Sequence, residues 1–223
     1  CRTHQRFQTR TIETDHDQFL NALLTGNKRE AHRIADLYSS SNDEIKLLYE
    51  QVIKPALYKV GEKWENNLIS VAAEHLATSI SEMVMNDLFE QIISLERKNN
   101  KVLLACVENE YHQVGIKMIG DMFEMHGWDT YFLGANIPTR DLIDYAIDNE
   151  IELIGLSISI YFHFDKLIEM IKAIQAELPN ALILVGGQAF THGGKDYLTP
   201  FKRVLFIEDL NQLDSFIKTF EKP

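Results

Sequence analysis

The chain has 223 residues, of which 45% are apolar, which is enough for two modest domains or one large one. Its net charge of -11 makes it a poor candidate for binding the phosphate backbone of a nucleic acid by itself, because such binding requires clustered Lys and Arg. No apolar run approaches the roughly 20 residues of a membrane span, and no signal-peptide pattern opens the chain. Cys1 and Cys106 make no disulfide framework, so we expect a reducing, cytoplasmic setting and a small core residue at Cys106.

Residues 1–14 are polar and show little periodicity, with arginines at positions 2, 6 and 10. The chain does not begin with Met. We interpret this segment as a linker that follows an N-terminal region absent from this sequence.

Helical periodicity runs through residues 15–97 and predicts four helices, over 15–26, 29–40, 39–64 and 70–96. Pro55 should kink the third helix or start a new one. The fourth helix should place one apolar face inward: Leu76, Ile80, Met83, Val84, Leu88 and Leu95. Four helices with short links predict a small bundle.

After the polar hinge at 96–101 the periodicity changes to short, β-rich apolar runs, at 101–107, 130–135, 152–159, 181–187 and 203–209. Helical segments begin near His112, Thr139, Phe164, Gln188 and Asp209. This alternation predicts a flavodoxin-like (Rossmann-like) five-stranded parallel sheet over residues 98–223, following the helical cap over 15–97. The fold class is therefore α/β with a four-helix-bundle cap.

The loop after the first strand, ENEYHQVG at 108–115, should lie at the switch point where such sheets bind ligands. It lacks the G-x-G-x-x-G of a dinucleotide site, and Glu108 and Glu110 would repel a pyrophosphate. The third strand ends in Ser157-Ile158-Ser159, so a receiver-type phosphoacceptor Asp is absent from that position.

Chemistry at this loop centres on His112, which has a carboxylate, Glu110, two residues before it and a glycine, Gly115, three residues after it. A carboxylate on one ring nitrogen would fix the tautomer and strengthen the other nitrogen as a metal ligand. One imidazole cannot hold a bare ion, but it suits a metal enclosed in a macrocycle with one axial position open. Gly115 would let the backbone approach a bulky ligand. Small residues further along the sheet edge would leave a slot for a long tail: Ser157, Ser159, Gly186 and Gly187.

With these motifs the second half resembles the cobalamin-binding domains, whose D-x-H-x-x-G, S-x-L and G-G motifs occur in this order. The resemblance implies that His112 is the lower cobalt ligand, Glu110 its hydrogen-bonding partner and Gly115 part of the same loop. It implies that the dimethylbenzimidazole tail passes the small residues Ser157, Ser159, Gly186 and Gly187. Glu110 replaces Asp and keeps the carboxylate, whereas Ser159 replaces Leu and is small enough for the slot.

The helical half resembles the cap over the upper face of the corrin, as in corrinoid methyl carriers and in CarH-type light-responsive regulators. The regulators carry a Trp separated by nine residues from Glu-His, and this chain has Trp64 and Glu74-His75 at that spacing. The resemblance implies that Trp64 packs over the upper ligand, with Glu74 and His75 beside an adenosyl group. Glu65 departs from the light sensors, in which a histidine after the tryptophan captures cobalt.

We therefore expect the cobalamin-binding, non-enzymatic sensor module of a light-responsive transcriptional regulator, with no catalytic residues. Adenosylcobalamin would bridge the cap and the sheet domain, and the loss of its upper ligand would shift the cap and so change the homo-oligomer. DNA contact would come through a missing N-terminal domain. The alternative is a corrinoid methyl carrier with the same His112 site, and a third possibility is a fold that binds haem or no cofactor. His163 and His192 are interpreted as surface residues, and Met83, Met85 and Met125 as core residues.

Overall fold

The computed structural model describes residues 11–220, so most of the predicted linker at 1–14 lies outside the described residues. The chain separates into two compact units between Gln91 and Ile92, ahead of the boundary predicted after residue 97. The described part of the first unit is helical. The second unit alternates strands with helices.

Four of the helices described in the first unit begin at a side-chain cap. The helices are α1 Ile12–Leu24, α2 Lys28–Asp36, α3 Asn42–Leu48, α4 Lys54–Glu65, α5 Val71–Asp87 and the short α6 Phe89–Ile92, which reaches the unit boundary. The side chains of Thr11, Asn27, Ser41 and Ser70 each accept a backbone N–H in the first turn of the helix that follows. These bonds satisfy amides that have no intrahelical partner.

The third predicted helix is divided before Pro55, as the sequence led us to expect. A π-helical turn over Tyr49–Ile53 separates α3 from α4, and Pro55 occupies the first turn of α4. Proline lacks an N–H and its ring clashes with the carbonyl four residues earlier, and both costs are relieved at a helix start. The π-helical turn is the place where the hydrogen-bond pattern of α3 is interrupted before α4 begins.

The fourth predicted helix was too long. Helix α5 ends at Asp87, and the backbone amides of Ser94 and Lys98 donate to the carbonyls of Glu124 (3.3 Å) and Gly127 (2.8 Å), outside any helix. Placing Leu95 on the inner face was wrong, because its side chain is 96% exposed. Leu76 is also exposed, whereas Ile80, Val84 and Leu88 are buried.

The second unit has the predicted flavodoxin-like sheet. Its strands, all parallel, are β1 Lys101–Cys106, β2 Asp129–Gly134, β3 Leu153–Ser157, β4 Leu182–Gly186 and β5 Val204–Phe206, in the order β2-β1-β3-β4-β5. The α-helices are α7 Val114–Met125, α8 Thr139–Asp148, α9 Phe164–Glu177 and α10 Leu210–Thr219. Cys106, at the end of β1, is buried in the core as predicted.

The helix predicted to begin near Gln188 is absent. Two short 3₁₀ segments, Gln188–His192 and Lys195–Leu198, replace it between β4 and β5. Gly193 and Gly194, with φ values of 105° and 98°, lie between the two segments. Such positive φ values cannot continue a right-handed helix.

Strand pairing positions the loops that carry the candidate site. Cys106, the last residue of β1, is paired with Ser157, the last residue of β3. Beyond this pair, the amide of Val107 donates to the carbonyl of Ser157 (3.1 Å). The loops after β1 and β3 therefore leave the sheet side by side.

The junction between α7 and the segment before β1 generates a stability prediction. Gly127 has a φ of 79°, and a Cβ there would lie 2.0 Å from the carbonyl oxygen of Glu96. Gly26 has a similar φ of 67°, but its Cβ would meet a flexible leucine side chain at 3.2 Å. Gly26→Ala should lower the free energy of unfolding by about 1–2 kcal/mol, from backbone strain. Gly127→Ala should lower it by more, because backbone must also move. Urea denaturation of both variants measures this, and equal losses would contradict it.

Candidate functional site

The centre of the site is Glu110, whose side chain is fully buried although it lies in a loop. The loop leaves β1 at Cys106 and turns at Asn109, which has a φ of 72°. The amide of Glu110 donates to the carbonyl of Val107 at 2.9 Å, which folds the carboxylate back under the loop. The next two residues, Tyr111 and His112, are exposed.

Each carboxylate oxygen of Glu110 accepts three hydrogen bonds. Oε1 accepts the amides of Tyr111 (3.0 Å) and His112 (3.1 Å) and Nδ1 of His112 (2.5 Å). Oε2 accepts donors from the loop after β3: the amides of Ser159 (2.8 Å) and Ile160 (3.0 Å), and Nδ1 of His163 (3.1 Å). One carboxylate therefore joins the two loops.

These contacts fix the charge of Glu110 and the tautomer of His112. Burial alone would raise the pKa of Glu110, but the hydrogen bonds from His112, Ser159 and Ile160 together outweigh it and hold the pKa well below its usual range. An ionised carboxylate can only accept, so Nδ1 of His112 carries a proton. In the neutral ring Nε2 is then the nitrogen with a lone pair for a metal.

His112 combines a held backbone with a half-exposed side chain, which is 54% exposed. The thiol of Cys106 donates to the carbonyl of His112 at 3.4 Å. Burial, and then the charge of Glu110, raise the pKa of Cys106 to about 12, so the thiol stays protonated and remains a donor at neutral pH.

The loop after β1 is also tied to the connection between β2 and α8. The amide of Asn109 donates to Oδ1 of Asn136, and the amide of Asn136 donates to the carbonyl of Glu110, both at 2.9 Å. The hydroxyl of Thr139 donates to Glu108 at 3.0 Å. Asn109 and Asn136 both have positive φ, which asparagine tolerates better than most residues. The histidine is thus presented by a loop held on several sides.

The motif glycines serve two different purposes. A Cβ on Gly115 would meet no atom within 4 Å, so this position leaves open space at the start of α7. By contrast, a Cβ on Gly186 would lie 2.8 Å from the carbonyl oxygen of Ile207, and one on Gly187 would lie 2.0 Å from that of Ile158. The fold itself requires the glycine pair for close backbone approach, whereas the fold does not require Gly115 to be glycine.

The remaining predicted residues of the second unit lie at the same edge of the sheet. Ser157 is buried at the end of β3, and Ser159 contributes its amide to Glu110. The interpretation of His163 as a surface residue was wrong, because its side chain is 21% exposed and bonded to Glu110. The strand order, which puts the loop after β3 beside that after β1, is the signal that points to His163. His192 is exposed, as predicted.

The predicted cap residues lie on α4 and α5 of the first unit. Trp64, near the end of α4, is 45% exposed, and Glu65 beside it is exposed. In the first turns of α5, Nδ1 of His75 bonds to Oε2 of Glu74 at 2.6 Å, and the hydroxyl of Thr78 donates to Oε1 of Glu74 at 3.0 Å. His75 is therefore also an imidazole oriented by a carboxylate, with its side chain 76% exposed.

Two kinds of feature are absent from residues 11–220. None of these residues forms a helix long and apolar enough to cross a bilayer. In the same range, no group of three or more His, Cys, Asp or Glu side chains is placed to hold a metal ion.

Family comparisons match both units. Two family models, each described as a B12 binding domain, match residues 16–89 and residues 100–206. The chain therefore belongs to the cobalamin-binding domain proteins, and it resembles the sensor half of the CarH regulators.

Curated relatives include a transcriptional repressor and a corrinoid protein. The chain is 29% identical over 144 residues to the HTH-type transcriptional repressor CarH of Myxococcus xanthus, covering 63% of this chain and 47% of the relative. It is 23% identical over 103 residues to dimethylamine corrinoid protein 3 of Methanosarcina acetivorans, covering 45% of this chain and 48% of the relative. The chain spans about half the length of these curated relatives.

A solved structure shares the fold. The monomethylamine corrinoid protein of Methanosarcina barkeri matches with a TM-score of 0.77 at 12% identity, covering 94% of this chain and 100% of that chain. At this identity the likeness shows the α/β fold with its N-terminal helical region.

The Glu110 network predicts a stability effect that depends on pH. Glu110→Gln should lower the free energy of unfolding at pH 7 by about 3 kcal/mol, because an amide would point a donor at other buried donors. The native pKa of Glu110 lies below the unfolded value of about 4.3, so this contribution is complete above that pH and shrinks as the pH falls below it. Urea denaturation from pH 7 down to pH 3.5 measures the difference.

Glu108→Gln is the matched control, since it makes the same change in the same loop at a partly exposed side chain. It should cost less than about 1 kcal/mol. Equal losses for the two variants at pH 7 would contradict the role given to Glu110.

Proposed function

We propose that this chain is the cobalamin-binding sensor module of a transcriptional regulator, with adenosylcobalamin as cofactor and light as signal. The observation that carries the proposal is the His112 imidazole, held by the buried Glu110 carboxylate beside the open space at Gly115. We propose a signalling role and no turnover of a substrate.

The residues present fit a corrinoid. A single imidazole offers one ligand, which suits a metal whose other in-plane positions are filled by a macrocycle. Gly115 leaves room for a bulky group to approach the loop, and no contact within the fold explains the glycine there. When bound, adenosylcobalamin supplies a cobalt–carbon bond that light can cleave. His112 would supply Nε2, and Glu110 would keep the proton on Nδ1.

The regulator assignment rests on the cap motif and on the CarH relative. Trp64 and Glu74-His75 keep the spacing of the CarH-type caps, and these side chains are assigned to the upper ligand. CarH is an HTH-type transcriptional repressor. With its charge of -11, this chain would leave DNA contact to a domain outside the present sequence. Loss of the upper ligand would act through a change of homo-oligomer.

A corrinoid methyl carrier is the second candidate. Glu65 stands where the light sensors have a histidine, and the dimethylamine corrinoid protein is among the relatives. The same His112 site would serve a methyl carrier. The two candidates differ in their response to light: the regulator would change its oligomer, whereas the methyl carrier would not.

Illumination separates the two candidates. The protein loaded in the dark with adenosylcobalamin should change both its absorption spectrum and its gel-filtration volume after green light. His112→Ala should weaken binding at least tenfold, about 1.4 kcal/mol or more, whereas His192→Ala, an exposed histidine of the same unit, should not. A spectrum that changes without a change of size would favour the methyl carrier. No binding by the unaltered protein would contradict both.

The cap assignment has its own test. Trp64→Ala should weaken the binding of adenosylcobalamin but leave that of hydroxocobalamin unchanged, because the tryptophan is assigned to the upper ligand. Tyr58→Ala removes another exposed aromatic of α4 (40% against 45% for Trp64) and should change neither. Titrations followed by absorption give the four affinities. If Trp64→Ala weakened the binding of both cobalamins equally, the assignment of Trp64 to the upper ligand would be wrong.

A further inference from the structure

Two of the aromatic side chains on the loops that Glu110 joins are exposed by more than half. Phe162, after β3, is 90% exposed, and Tyr111, after β1, is 67% exposed. An exposed aromatic is unremarkable by itself, but apolar groups grouped at a binding edge mark a surface that something covers.

Phe162 is held outward by a turn that is fixed on both sides. It is the middle residue of the 3₁₀ turn Tyr161–His163. Before the turn, the amide of Ile160 donates to Glu110; at its end, the amide of His163 donates to the carbonyl of Ile160 at 3.0 Å and Nδ1 of His163 donates to Glu110. Because the amide of Ile160 and the side chain of His163 both bond to Glu110, Phe162 is presented to solvent by an ordered backbone.

The ring of Tyr161 adds to this support. Its centroid lies 5.0 Å from that of Phe164 in an edge-on contact. An edge-on aromatic pair of this kind stabilises the fold beyond the apolar area that it buries. The turn that carries Phe162 therefore keeps its place without a ligand.

Tyr111 is placed by the same carboxylate. Its amide donates to Oε1 of Glu110, the oxygen that also accepts Nδ1 of His112. A macrocycle whose metal sits on His112 is wider than the imidazole and must extend over the neighbouring loops. Each of those two loops carries an exposed aromatic side chain, and the buried carboxylate of Glu110 bonds to both loops.

We propose that Tyr111 and Phe162 make apolar contacts with the corrin ring on its His112 side, and so contribute affinity for the macrocycle itself. The inference rests on the proposed function. The recognised groups are the conjugated macrocycle and its ring methyl groups, not the nucleotide tail. Their contribution is therefore the same for a corrinoid with or without that tail.

The test compares two probes, hydroxocobalamin and dicyanocobinamide, which lacks the nucleotide tail. Phe162→Ala should weaken both by the same factor, about three- to tenfold from the lost apolar contact, and Tyr111→Ala should act in the same direction. Leu95→Ala is the matched control, because it removes an equally exposed apolar side chain (96%) from the same unit and should change neither affinity. Equilibrium dialysis gives the dissociation constants.

Other outcomes overturn the inference in distinguishable ways. If Phe162→Ala binds both probes with unchanged affinity, Phe162 does not contact the corrin. If the same variant also changes its gel-filtration volume, Phe162 belongs to a protein interface instead. A lowered melting temperature of the ligand-free variant would make the role structural. If the unaltered protein binds neither probe, the proposed function falls together with the inference.

Discussion

A single buried anion organises the functional end of the second unit. The carboxylate of Glu110 is removed from water, which is costly unless every lone pair finds a donor. Here each oxygen accepts three hydrogen bonds, from two loops that the parallel pairing of β1 and β3 brings together. The ligand loop, the turn after β3 and the tautomer of His112 all depend on that charge.

The motif residues fall into two groups that differ in their surroundings in the folded chain. Glu110 and the glycine pair are required by the folded backbone itself, since Gly186 and Gly187 lie against main-chain carbonyls. His112 and Gly115 are different, because the histidine is presented outward and the glycine borders open space. Residues of the first kind build the platform, and those of the second kind are the ones that the proposed function assigns to the ligand.

Much of this could be predicted from the sequence. The alternation of strands and helices gave the sheet order, and the spacing around His112 identified its partner carboxylate, because both are local signals. Helix α5 was drawn too long, since the apolar period continues to Leu95 while tertiary hydrogen bonds redirect the chain. His163 was missed for a similar reason: its partner lies 53 residues away in the sequence, and no local pattern records that pairing.

The proposed function depends on His112 as the nitrogen ligand of cobalt. Electron paramagnetic resonance of the protein loaded with cobalamin and reduced to the cobalt(II) state reads the axial nitrogen directly. Protein grown with histidine labelled by the heavy nitrogen isotope should convert each triplet splitting into a doublet. A triplet that persists after labelling would mean that the cofactor's own base, and not His112, holds the cobalt, and would contradict the account.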